Sequence, residues 1–375
     1  MLDSDAGGQY ASGYLLYHLQ SQLLAQKFDP AKGTISGDPI TLANLVEYDI
    51  GTWHTTFTVS QNGLLAYEPG AKMLGNDLVW VDRSGNTLGK VAERAFYKGS
   101  GRFSTDGKRL ALSMGDPQAD IWVLDLARGS RTRLTFGGAT HQAPSWSADG
   151  QRVVYTRQNG TSVVAGTSIR ARLASGGGQE EILLETNPSA PATFLSPQLS
   201  PDDRYLVYTM QSGPTGIGVW AMPLAGERKA LPIIPAPSGP ARIVQYRLSP
   251  DGKWLAYSST ESGREEVYVT HFPSGEGKWQ VSQSGGTFPT WRGDSKEIWY
   301  IGLDNLMLHV ASISVKNGEF GLDSVKPLFQ ITYTTPLGTP YDLSPDGKRA
   351  ILCTFPESLP TPLVLVTNWM GELKK

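Results

Sequence analysis

A twelve-residue phrase, LSPDGKWLAYSS at Leu248 to Ser259, returns with small changes as FSTDGKRLALSM, WSADGQRVVYTR, LSPDDRYLVYTM and LSPDGKRAILCT. Each copy is a short apolar-polar alternation, a break, and a second alternation, the pattern of two antiparallel strands joined by a turn. Glycine suits the break because, lacking a Cβ, it takes positive φ at little cost. The turn positions are Gly63, Gly107, Gly150, Asp203, Gly252, Ser295 and Gly347, at intervals of 44, 43, 53, 49, 43 and 52 residues, with a mean of about 47. A fainter copy, YASGYLLYHL, puts Ser12-Gly13 at the break 50 residues before Gly63. A hairpin used at a regular interval is an architecture, and this interval suits one four-stranded propeller blade.

Two more strands per repeat are legible. LVWVDRS, DIWVLDL, GVWAMPL, EVYVTHF and LMLHVASI alternate aromatic and aliphatic residues as half-buried strands do. A more polar fourth strand follows in RTRLTF, RKALPI, KWQVSQ and VKPLFQI. The chain therefore reads as an all-β protein, a single β-propeller domain over residues 1–375. Eight blades of four antiparallel strands are expected, or seven if the first repeat is irregular. A toroid grows by adding blades, so the length of 375 residues does not require a domain cut. The last repeat is short of material for a fourth strand, and Met1 to Ser4 is expected to complete it, because an open ring exposes strand edges.

Composition fits this class: 39% hydrophobic and 18% charged residues, with 42 Gly and 25 Pro to punctuate many short strands. A net charge of -2 offers no electrostatic footprint for nucleic acid. The one cysteine, Cys353, lies in the alternating run AILCTF and reads as a buried inert thiol. No pair of residues has zinc or EF-hand spacing, and the repeated Asp belongs to turns, so neither metal nor cofactor is expected. No apolar run approaches 18 residues, and Met1 is followed by LDSDAGGQ rather than a signal sequence. Taken alone, this points to a cytoplasmic protein or to a fragment.

The hairpin at Phe103 to Leu112, Trp146 to Tyr155, Leu199 to Tyr208 and Leu248 to Tyr257, followed by an Ile-Trp-Val-like strand, resembles the TolB-like propeller repeat; Leu343 to Leu352 is recognisable too. Trp291-Arg292-Gly293-Asp294-Ser295 and Val59-Ser60-Gln61-Asn62-Gly63 depart from it only within the turn. The chain, from LLAQKFDP to PLVLVTNWMGELKK, also resembles the C-terminal extracytoplasmic region of bacterial membrane-anchored serine/threonine kinases. That resemblance implies an extracytoplasmic place and a membrane tether outside this chain. It implies no reaction: there is no glycine-rich nucleotide loop, HRD or DFG, and also no G-x-S-x-G, S-x-x-K or H-E-x-x-H.

Propeller function usually sits at the mouth of the axial channel, on loops held by the rigid ring. Four residues before the turn Asp or Asn stand Thr58, Arg102, Ser145, Gln198, Arg247, Thr290 and Asp342, polar in every copy and expected to line the channel. Further upstream, in the segments entering each blade, lie Trp53, His54, Tyr97, Lys98, His141, Gln142, Phe194, Arg242, Gln245 and Phe288. His54 and His141 share a register eight residues before the turn. If these segments form one rim, aromatics there stack on sugars or anchor a peptide, and His or Arg orients carboxylates. The functional expectation is a noncatalytic ligand- or protein-binding propeller, the sensor region of a transmembrane kinase, taking a protein, peptide or glycan at the mouth. The alternative is a propeller lyase or hydrolase acting there on carbohydrate or peptide, with His as base beside Arg102 or Arg247.

Overall fold

The computed structural model describes residues 7–19, 22–44, 46, 48–49, 54–68, 75–115, 118–159, 166–187, 192–212, 215–236, 242–332, 338–354 and 363–373. Among them the chain is almost wholly β, with eight blade-sized antiparallel sheets, seven of four strands and one of three. Eight is the number expected from the repeats. The chain groups into two compact units, Met1–Gly75 with Phe355–Lys375, and Asn76–Thr354.

Six of the four-stranded sheets belong to the larger unit. The first blade comprises Arg102–Phe103, Arg109–Met114, Asp120–Asp125 and Arg131–Arg133. The second runs through Thr140–Trp146, Arg152–Gln158, Thr167–Leu173 and Glu181–Glu185, and the third through Ala192–Leu199, Tyr205–Ser212, Thr215–Pro223 and Leu231–Ile234. The fourth has Ile243–Leu248, Trp254–Ser259, Glu266–His271 and Trp279–Gln280, and the fifth Thr287–Trp291, Glu297–Ile301, Met307–Lys316 and Glu319–Gln330. The sixth is composite: Tyr341–Leu343 and Arg349–Thr354 pair with Asp77–Asp82, which pairs in turn with Thr87–Lys90.

These six sheets close on themselves. Each interface between successive blades holds one buried apolar cluster. The remaining cluster joins the sixth blade to the first through Leu78, Ile351 and Cys353 against Tyr97, Leu110 and Leu112. Closure is thus composite, as expected of a ring that must hide its edges. The segment expected to supply it, Met1 to Ser4, lies outside the described residues, and the outer place of the sheet is held by Thr87–Lys90.

Each repeated phrase folds as a loop rather than a two-residue reversal. Gly252 N–H donates to the Ser249 carbonyl at 2.9 Å, and Gly252 takes φ of 69°. The Ser249 hydroxyl donates to Asp251 Oδ1 at 2.6 Å and accepts from the Trp254 N–H at 2.9 Å, while Lys253 N–H donates to Asp251 Oδ1 at 3.1 Å. Ser104, Ser147, Ser200 and Ser344 repeat the hydroxyl-to-Asp bond. The serine two residues before the Asp therefore belongs to the motif, closing the loop from inside.

The smaller unit has a meander, Gln9–Ala11, Tyr14–Leu19, Gln22–Asp29 and Thr34–Asn44, and a three-stranded sheet of Phe57–Val59, Leu65–Tyr67 and Val364–Val366. A short ribbon pairs Tyr48–Asp49 with His54–Thr55, and a helical turn follows at Trp369–Glu372. Leu16, Leu23, Phe57, Leu65 and Trp369 share its core. The repeats at Gly63 and Gly347 have in effect exchanged third strands: Leu65–Tyr67 pairs with Val364–Val366, and Arg349–Thr354 with Asp77–Asp82.

Candidate functional site

The innermost strands of the second, third, fourth and fifth blades carry bulges, between Gln142 and Ser145, Leu195 and Gln198, Ile243 and Gln245, and Thr287 and Thr290. Three of them hold a non-glycine residue at positive φ before a proline: Ala143 at 53°, Ser196 at 52° and Phe288 at 52°. Proline has no N–H for a sheet ladder, so a bulge is the position that accepts it. The inserted residue inverts the side-chain alternation. In Thr140–Trp146, His141 is on the core side with Pro144 and Trp146, while Gln142, Ala143 and Ser145 face the other way.

This inversion decides which expected residues meet. A cavity of about 60 Å³ is lined by Lys98, Arg102, Gln142, Gln198 and Gln245, all named from the sequence. The bulge residues Ala143, Pro144, Ser196 and Pro197, with Gly101, Ser113 and Gly338-Thr339, complete its wall. Deeper in the ring Asp342 sits between two guanidiniums: Arg247 Nη2 donates to Oδ1 at 3.3 Å and Arg102 Nη1 is 3.6 Å from the same oxygen. Its Oδ2 accepts the Phe103 N–H at 3.0 Å. These residues come from the first, fourth and sixth blades, so the cluster spans the channel.

Neighbouring blades hold the cluster in place. The Trp146 indole donates to the Arg102 carbonyl at 2.9 Å, and the Trp291 indole to the Arg247 carbonyl at 3.2 Å. The Gln198 amide bridges to the next blade, donating to the Tyr246 carbonyl and accepting from the Leu248 N–H, both at 3.2 Å. Burial lowers the Arg247 pKa, and Asp342 opposes that shift. Ser145 is half-buried and Thr290 buried at the equivalent register, away from the cavity wall. Thr58 is exposed in the smaller unit.

Among the described residues, the aromatics expected at the rim are turned into the core. Tyr97 is buried in the closing cluster, its hydroxyl donating to the Glu93 carbonyl. Phe194 packs edge-on against Tyr208 at 5.5 Å, and Phe288 packs on the cluster between the fifth and sixth blades. His141 is 2% exposed, its Nδ1 3.1 Å from Asp120 Oδ1 and its ring edge-on to Tyr155. Arg242 is exposed and does not line the cavity. Trp53 lies outside the described residues, and of His54 only the backbone strand His54–Thr55 is described. Counting back from the turn placed His141 and Phe194 on the channel side; the bulges turn both into the core. The missed signal was the proline directly before Ser145, Gln198 and Thr290. Among the described residues no three His, Cys, Asp or Glu side chains gather as metal donors.

No protein-family model matches the chain. A solved structure assigned as TolB from Agrobacterium tumefaciens is similar at a TM-score of 0.55 and 17% identity, covering 76% of this chain and 99% of that one. An oligogalacturonate lyase solved in complex with manganese is similar at 0.52 and 14%, covering 94% and 99%. At these identities the likeness shows the fold alone, a TolB-like β-propeller. Among the described residues no helix is long and apolar enough to cross a membrane.

Proposed function

We propose that this chain is a noncatalytic ligand- or protein-binding propeller whose contact point is the mouth of the six-bladed ring. We further propose that it serves as the extracytoplasmic sensor region of a bacterial membrane-anchored serine/threonine kinase. One observation carries the binding reading: the cavity gathers Lys98, Arg102 and three glutamine side chains, and among the described residues no histidine or carboxylate that could serve as a base lines it. A lyase or hydrolase of the kind considered from sequence needs a proton acceptor within hydrogen-bond reach of its substrate. His141, one of the two histidines considered for that role, is enclosed in the core, and the side chain of the other, His54, lies outside the described residues. The kinase and extracytoplasmic parts rest on the sequence resemblance alone.

The test is a panel of short peptides and cell-wall glycan fragments, run against the wild type and the double variant Gln142→Ala/Gln245→Ala. Saturable binding that the double variant loses, with every panel member recovered intact, is the expected result. Turnover of any member would instead establish the enzyme reading. For the kinase part, the reading frame upstream of Met1 should encode a kinase domain and one membrane-spanning segment, and a signal peptide alone would overturn it.

A further inference from the structure

One register of the inner strands shows how the ring is tied. Of Thr58, Arg102, Ser145, Gln198, Arg247, Thr290 and Asp342, three are charged, and those three meet. Four other inner-strand side chains bond to the blade beside them: Trp146 to the first, Tyr246 to the third, Trp291 to the fourth and Tyr341 to the fifth. Arg247 does not. It stands on the fourth blade and donates to Asp342 Oδ1 on the sixth, passing over the fifth, so the bond runs across the channel. Asp342 Oδ2 accepts the Phe103 N–H of the first blade at 3.0 Å. One carboxylate thus joins both sides of the interface at which the ring closes to a blade three places round from the first.

A buried ion pair is weak evidence of stability, because taking two charges out of water costs about as much as their attraction returns. Arg247 and Asp342 are 9% and 7% exposed. Burial raises the Asp342 pKa and lowers that of Arg247, and each partner opposes the other's shift. Such a pair acts instead by specifying one arrangement of the chain, since any other leaves a charge buried alone. We propose that Arg247 and Asp342 form a latch across the channel, which holds shut the closing interface between the sixth and first blades. That interface is where a latch has most to do: its sixth blade pairs Arg349–Thr354 with Asp77–Asp82, strands from opposite ends of the larger unit. The latch belongs to the ring itself and does not depend on what the mouth binds.

Cys353 reads the latch. It is buried in the closing cluster and is the only cysteine of the chain, so a thiol reagent reaches it when that interface opens. Labelling rates under native conditions are compared for the wild type, Arg247→Gln, Asp342→Asn and the double variant. Each single variant should label at least about tenfold faster, because it leaves a buried group without its charged partner. The double variant should label no faster than the quicker single, the non-additivity that marks a direct coupling. Accelerations that multiply in the double variant, or single variants that label at the wild-type rate, overturn the latch. Thr167→Val controls for general weakening, since it removes the hydroxyl that accepts the Phe194 N–H between the second and third blades. It should lower the midpoint of denaturant unfolding yet leave labelling within about twofold of the wild type. Acceleration equal to that of Asp342→Asn would also overturn the proposal. Should Arg247→Gln or Asp342→Asn fail to fold, Arg247→Lys and Asp342→Glu complete the same cycle with charge kept and reach altered, and the same readings decide.

Discussion

At His141 the imidazole is enclosed between Tyr155 and Asp120, and burial pushes its pKa below the usual value while Asp120 pulls the other way. Burial likewise lowers His309, whose ring stacks on Tyr300 at 5.1 Å. For a histidine whose folded pKa is depressed, the unfolded chain takes up its proton at higher pH than the native state does. Stability is therefore complete above the unfolded value of about 6.5 and is lost as pH falls through it toward the folded value. The melting temperature should drop between about pH 7 and pH 5, before the turn aspartates begin to protonate near their unfolded value of about 3.9. His141→Gln should flatten part of that drop and His141→Gln/His309→Gln more of it, as measured by thermal melts at pH 7.5 and 5.5. An undiminished slope in the double variant would place the titrating groups elsewhere. The residue chosen from sequence as a ligand is by this account part of the wall between two blades.

The hairpin loop is the element most fully legible in the sequence, because its determinants are local: serine, aspartate and glycine lie within four consecutive positions and bond to one another or to adjacent backbone. Its glycine can be tested in two settings. A Cβ on Gly252 would meet Pro201 at no less than 3.6 Å, so Gly252→Ala should cost only the strain of positive φ, about 1–2 kcal/mol. A Cβ on Gly347 would come within 2.4 Å of Arg292 Cδ, and Arg292 is held by Asp294 and Glu297, so Gly347→Ala should cost more. Denaturant unfolding of the two variants gives the comparison, and equal losses would show that Arg292 swings aside freely. The inner-strand bulges were less legible. Proline marks them, but a strand that gains one residue still alternates on both sides of the insertion, so the inversion shows only when the paired register is known. Arg247 was found because it lies close to the turn, past the bulge of its strand; Phe194 and His141 were misplaced because they lie before theirs.

Strand count and periodicity were legible for the whole molecule; the partner of each terminal strand was not. LVWVDRS reads equally well as a third strand beside Leu65–Tyr67 or beside Arg349–Thr354, because antiparallel pairing asks only for matched alternation. The second pairing places Leu78 opposite Cys353 in the cluster between the sixth and first blades, and the ring closes there. Arg83 reinforces the closure by donating to Glu297 at 2.9 Å and to the Gly347 carbonyl at 3.1 Å. Held by segments from opposite ends of the larger unit, the sixth blade is the one that can open without breaking a sequence-local hairpin, and Cys353 is a built-in reporter of that event. The thiol is 1% exposed and is the sole cysteine of the chain, so a thiol reagent should label the native protein slowly. Leu78→Ala removes a fully buried side chain from the closing strand, at a cost of about 2–5 kcal/mol. If that cost falls on local opening, labelling accelerates roughly thirtyfold to a few thousandfold. Leu206→Ala, equally buried in the third blade, should lower the global stability comparably while leaving labelling under native conditions near the wild-type rate. Equal acceleration in the two variants would mean that the ring opens only when the whole unit unfolds, and that the composite blade is no weaker than its neighbours.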